Sequence, residues 1–123
     1  MPLEAFDHVN IRTGRLDAMV EWYARVLGMR AGVRPAFDFP GAWLYLGDNA
    51  LVHLVGVDPA PKSVEPGIEH FAIRASGMKD FLAHLEAEGV SYRLAEVPGF
   101  GITQVNIFDP DGNHIHVDFT GEG

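Results

Sequence analysis

Cysteine is absent from these 123 residues, which excludes disulfides and thiolate chemistry and leaves any bound metal to nitrogen and oxygen donors. Basic residues are scarce, with nine Lys and Arg against 17 Asp and Glu and a net charge of −8. No basic stripe exists on which a phosphate backbone could sit, so nucleic acid is not an expected partner. No apolar run approaches the roughly 20 residues a membrane helix needs. The opening Met1-Pro2-Leu3-Glu4 lacks the basic region and apolar stretch of a signal peptide. These absences lead to the expectation of a soluble, cytoplasmic protein with no membrane partner.

What the chain does contain is a repeat. Phe6-Asp7-His8-Val9-Asn10-Ile11-Arg12 returns as Ile68-Glu69-His70-Phe71-Ala72-Ile73-Arg74, matching apolar, acid, His, apolar, small, Ile and Arg at an offset of 62. Each copy leads into an apolar stripe at helical spacing that ends at a glycine: Leu16, Met19, Val20, Tyr23, Val26 and Leu27 before Gly28, then Met78, Phe81, Leu82 and Leu85 before Gly89. Allowing one extra residue in the second turn aligns His53 with His116 at an offset of 63. Two copies of about 60 residues are too few and too long for a solenoid, and each is marginal as a separate fold. The reading is one domain over 1–123 built of two halves, module 1 over about 5–57 and module 2 over about 67–120. The proline-rich stretch 58–66 joins them.

The pattern predicts strand, helix and three strands, twice, an α+β fold. Strands are expected near 5–12, 31–35, 42–47, 50–56, 68–74, 91–95, 102–108 and 113–119, with helices over 16–27 and 78–88. Both helices must lie on a sheet. Asp109-Pro110-Asp111-Gly112-Asn113 is a strong turn signal, since proline presets one dihedral while glycine and asparagine accept positive φ.

Strand parity decides where the histidines point. Val9 and Ile11 suit the helix side, which leaves His8, Asn10 and Arg12 opposite; Phe71 and Ile73 likewise leave His70, Ala72 and Arg74. On the last strands Val52, Leu54, Ile115 and Val117 face the helices, and His53, His114, His116 and Asp118 face away. One histidine on a sheet face is usually a hydrogen-bonded packing residue. Four at equivalent places in both halves are better explained by a divalent cation, which compensates clustered neutral imidazoles.

The residues Asp7-His8-Val9, Trp22-Tyr23, Val26-Leu27-Gly28-Met29, Glu69-His70-Phe71-Ala72-Ile73 and Gln104-Val105-Asn106-Ile107-Phe108-Asp109-Pro110-Asp111-Gly112-Asn113 together resemble the vicinal oxygen chelate superfamily, which spans glyoxalases, bleomycin resistance proteins and extradiol dioxygenases. The resemblance covers the whole chain. It implies two tandem βαβββ modules forming a cupped mixed sheet with helices on the outer face. It also implies a divalent metal ion such as zinc, nickel, iron or manganese. The metal-ligand positions of the family map to His8, His53, His70 and His116, of which His53 could instead leave a place to water. The family most often has glutamate at the last of these positions, and several branches have it at the second; this chain has histidine at both.

Around that set, Asp118 is a candidate catalytic residue, either orienting an imidazole N–H or acting as a general base. Arg12 and Arg74 could meet an anionic substrate or pair with acids at the rim. Trp43, Tyr45, Phe37, Phe39 and Phe100 are candidates for the pocket wall, and Phe100 sits in a glycine-flanked loop that could fold over the cup; Tyr45 and Phe100 are taken as substrate contacts. His114 is expected at the cup's mouth and His84 in solvent. The functional reading is a metal-dependent lyase, isomerase or dioxygenase acting on a small oxygenated molecule. The alternative is a metal-independent drug- or metabolite-sequestering protein of the bleomycin resistance type. Chains with two modules in this superfamily typically pair, which implies a homodimer.

Overall fold

A computed structural model describes residues 2–62 and 64–121; Ser63, inside the expected linker, lies outside the described residues. The chain divides into two compact units, 1–62 and 63–123. The first runs β1 (Val9–Thr13), α1 (Leu16–Leu27), β2 (Arg30–Ala31), β3 (Gly41–Leu46) and β4 (Asn49–Gly56). The second runs β5 (His70–Ala75), α2 (Met78–Ala87), β6 (Arg93–Val97), β7 (Ile102–Phe108) and β8 (His114–Thr120). Each is a βαβββ module, and each sheet repeats one order: β1-β4-β3-β2 and β5-β8-β7-β6.

The first strand of each module pairs in parallel with the last, and the other neighbours are antiparallel. The registers correspond: Val9 lies opposite Val52 and Asn10 opposite His53, as Phe71 lies opposite Ile115 and Ala72 opposite His116. The offsets of 62 and 63 read from the sequence are thus the real structural repeat. A crossover helix is what allows the parallel pairing, because a short turn cannot return the chain in the same direction.

In α1 the predicted stripe is the buried one, with Met19, Trp22, Tyr23 and Val26 inside. It packs on β2, β3 and β4 over Leu44, Val52 and Leu54. Gly28 ends the helix at φ 70, and the N–H groups of Gly28 and Met29 close on the carbonyls of Ala24 and Tyr23. This is a left-handed stop that a Cβ would strain. In the second unit Val105, Ile107, Ile115, Val117 and Phe119 are buried. Its helix is less covered: Leu85 is the buried residue of α2, while Phe81 reaches the Phe119 ring at 5.6 Å.

Four strands depart from the expected bounds by two residues or more, β5 among them, since it starts at His70 rather than 68. The β1 ladder begins at Val9; ahead of it the Asp7 carbonyl accepts from Asn49 Nδ2 at 3.2 Å. The second strand, expected over 31–35, is only Arg30–Ala31. After it, Arg34 folds the loop on itself, donating to the Phe39 carbonyl at 2.9 Å and lying over the Phe37 and Phe39 rings, and Pro35 and Pro40 supply no N–H to a ladder. The β6 ladder starts at Arg93 rather than 91, with Tyr92 tied instead to α2 by its hydroxyl on Glu86 at 2.7 Å. Among the described residues no helix is long and apolar enough to cross a membrane.

Candidate metal centre

In the first unit, His8 stands just ahead of β1 and His53 in β4. Their rings stack at 3.7 Å between centroids and 9° between planes, and Trp43, opposite His53 in the ladder, stacks on its other face at 4.0 Å and 14°. His8 Nδ1–H donates to Asp7 Oδ2 at 2.7 Å, which leaves Nε2 as the lone-pair nitrogen of a neutral ring. Burial first, and the neighbouring His8 second, hold His53 below the usual imidazole range. A cleft of about 440 Å³ opens here, lined by Asp7, His8, Trp43, Tyr45, Asp48 and His53 among others. The Tyr45 hydroxyl donates to the Val33 carbonyl at 2.6 Å, which fixes the ring as a wall.

The second unit repeats the pair and adds to it. His70 opens β5 and stacks on His116 of β8 at 3.9 Å and 13°. His70 Nδ1–H donates to Glu69 Oε1 at 2.5 Å, as His8 does to Asp7. The turn before β8 is held by Asp109, whose Oδ1 accepts the Asp111 and Asn113 N–H groups at 2.9 Å each, with Gly112 at φ 84. That turn delivers His114 as the first residue of β8, directly opposite His70. His114 Nδ1–H donates to the other oxygen of Glu69 at 3.0 Å, and its Nε2 lies 2.8 Å from Asn106 Oδ1. Its ring is edge-on to His116 at 4.8 Å and stacks on Phe108 at 4.8 Å.

His70, His114 and His116 therefore form a cluster in which one ligand atom from each lies within 4.8 Å of the others. His116 is held below the usual imidazole range, chiefly by burial and then by His70 and His114. Hydrogen bonds from His70 and then His114 hold the Glu69 carboxyl below the usual carboxylate range. His116 Nδ1 is buried without a hydrogen-bond partner among the described residues. Clustered imidazoles, a carboxylate orienting two of them and a ring nitrogen without a partner among the described residues are what a cation bound by nitrogen donors needs, so the residues fit such an ion.

The structure thus brings His8 to His53 and His70 to His116, each pair within its own unit. His114, expected at the cup's mouth, joins the second cluster, and its register puts it directly opposite His70. Asp7 and Glu69, which alternation carried back from Val9 and Phe71 would turn to the helix side, instead serve the histidines, because both precede the first ladder pair and strand alternation does not govern them. Asp118 is half-buried on the face of His116, opposite Gln104 and Arg74. Among the described residues its Oδ1 has no hydrogen-bond partner, and neither has His116 Nδ1. Arg12 and Arg74 are exposed. Phe100, in the β6–β7 turn, is 75% exposed, and Phe37 and Phe39 stack on each other in the β2–β3 loop rather than on the cleft. His84 is half-buried on α2.

The fold recurs in solved structures. A glyoxylase/bleomycin resistance protein/dioxygenase domain from Frankia sp. EAN1pec matches at a TM-score of 0.80 and 22% identity, covering 99% of this chain and 96% of that one. Lactoylglutathione lyase from Agrobacterium tumefaciens matches at 0.74 and 20%, covering 97% and 96%. A glyoxalase family protein from Enterococcus faecalis matches at 0.73 and 22%, covering 94% and 97%. At these identities the likeness is one of fold. No curated protein sequence matches significantly. The family model for the Glyoxalase/Bleomycin resistance protein/Dioxygenase superfamily matches residues 5–117, and the chain belongs to that superfamily.

Proposed function

We propose that this chain is a metal-dependent enzyme in which His8, His53, His70 and His116 hold a divalent cation, with zinc, nickel, iron or manganese as the candidate ions. In this reading the two units work as one domain and the protein acts as a homodimer. The observation that carries the reading is the stacked imidazole pair in each unit, with the first-strand ring tied through Nδ1 to the acid before it. That tie turns Nε2 outward as a ligand atom and fixes the tautomer. The depressed basicity of His53 and His116 keeps them unprotonated near neutral pH, the state that ligation requires.

The cation would supply Lewis acidity to adjacent oxygens of a small oxygenated substrate, which suits a lyase, isomerase or dioxygenase. The chain's own groups do the rest. Trp43 and Tyr45 wall the first unit's cleft and exclude water from one face of the substrate. Asp118, whose Oδ1 has no hydrogen-bond partner among the described residues, takes the proton in this reading. Arg12 and Arg74 offer positive charge to an anionic substrate, and Phe100 offers an apolar contact. The fold likeness to lactoylglutathione lyase makes α-ketoaldehyde adducts the first substrates to try.

Elemental analysis of protein purified without an affinity tag tests the claim. Bound divalent metal that His70→Ala removes, with turnover of an α-ketoaldehyde adduct or a catechol, is the expected result; metal-free protein that takes up none from zinc, nickel, iron or manganese overturns it. A second reading draws on the aromatic cleft. Metal-independent sequestration of a flat drug or metabolite against Trp43 predicts ligand binding that Trp43→Ala abolishes and chelators leave intact.

A further inference from the structure

The two units are alike in their stacked pairs but not in what surrounds them. Where the first has Leu51, one residue before the Val9–Val52 pair, the second has His114; where the first has Trp43 opposite His53, the second has Asn106 opposite His116. Two apolar positions have become two donor atoms, both next to His116.

The Asn106 amide cannot be turned to suit its neighbour. Its Nδ2 donates to the Arg93 carbonyl at 3.0 Å, so Oδ1 is the atom that faces His114 Nε2 at 2.8 Å. The other nitrogen, Nδ1, carries its hydrogen to Glu69. Nε2 and Oδ1 are both atoms that ligate a cation, and two neighbouring ligands at about 2.1 Å from one ion are separated by roughly 3 Å, close to the spacing observed.

We propose that His114 joins His70 and His116 as a ligand to the cation, with Asn106 Oδ1 beside it as a further donor. The proposal rests on the reading of His70 and His116 as metal ligands and adds His114, which that reading leaves out. Three observations converge on it. The three imidazoles gather within 4.8 Å. Glu69 takes the Nδ1–H of both His70 and His114 on its two oxygens, which turns both Nε2 atoms into ligands in the manner of a carboxylate behind metal-bound histidines. His116 keeps a buried ring nitrogen unpartnered. The widest spacing exceeds the roughly 3.4 Å of a tetrahedral pair by an amount that side-chain rotation covers. Three imidazoles and an amide oxygen suit a borderline ion, Zn2+ or Co2+, and disfavour Mg2+ and Ca2+, which take all-oxygen shells.

The test uses the full chain and zinc. Long-range 1H–15N spectra of the histidine rings in the unsubstituted protein should show Nε2 of His114 moving to the metal-bound position as one equivalent of Zn2+ is added. Competition with a chelator should show His114→Gln losing at least about 100-fold in zinc affinity, the upper end of what even an indirect ligand partner is worth, with its thermal midpoint confirming a folded chain. If zinc binds while His114 keeps hydrogens on both nitrogens, or if His114→Gln binds as tightly as the parent, the inference is overturned and the assignment of His70 and His116 stands. If the unsubstituted protein takes up no zinc, both fail together.

Discussion

Glu69→Gln isolates what a carboxylate does behind two imidazoles. Its side chain is 70% exposed, and its two oxygens each accept from a different ring, His70 at 2.5 Å and His114 at 3.0 Å. A glutamine can turn its one oxygen to only one of them and presents an N–H to the other. One imidazole therefore loses its orientation, and a partner of this kind is worth about 10- to 100-fold in metal affinity. Asp7→Asn is the internal control. Asp7 is 81% exposed and, among the described residues, its Oδ2 serves only His8, so an asparagine oxygen can take over the bond, and the expected loss is only a few-fold, from the missing charge. Because both carboxylates are exposed, neither change should move the denaturation midpoint of the metal-free protein. Zinc competition against a chelator, paired with urea unfolding of the apo chain, reads both quantities. Equal losses in the two variants, or no loss in Glu69→Gln, would refute the idea that one carboxylate orients two ligands.

The depressed His53 and His116 make the apo protein sensitive to mild acid. Both are neutral in the fold where the unfolded chain would take up protons, so their contribution is complete above about pH 6.5 and is lost as pH falls toward the folded-state values, with a slope of at most about 1.4 kcal/mol per pH unit for each; urea midpoints that stay flat between pH 7.5 and 5.5 would contradict this. Leu85→Ala removes the buried anchor of α2 and should cost about 2–5 kcal/mol in equilibrium unfolding, whereas a loss below about 1 kcal/mol would mean that the helix is held by other contacts. Gly28→Ala meets no atom within 4 Å but must hold φ 70, so its cost is one of backbone conformation, about 1–2 kcal/mol in the same assay; a neutral result would show that the helix end adjusts.

Much of the molecule could be read before any coordinates. The echo of Phe6–Arg12 in Ile68–Arg74 located both first strands, and the apolar stripes of α1 and α2 matched their bounds to within a residue, because 3.6-residue periodicity and a glycine stop are local properties. That His8 and His53, and His70 and His116, share one face of their sheets was legible too, since two-residue alternation leaves few choices once the repeat is seen. Errors clustered where alternation does not apply. Residues 5–8 precede the ladder, so Asp7 was free to turn toward His8; Glu69 did the same ahead of β5. The β2 strand stopped short because Arg34 found its partners in Phe37 and Phe39, contacts that no propensity encodes.

The sequence by itself determined the duplicated βαβββ plan and the imidazole at four equivalent positions, since both follow from the order and spacing of residues along one chain. Only the tertiary structure decided that Trp43 covers His53, that Asn106 and Glu69 both reach His114, and that His114 stands beside His70 and His116. Those neighbours come from different strands, and which side chains meet across a sheet depends on register and rotamer together, which a linear pattern constrains one strand at a time.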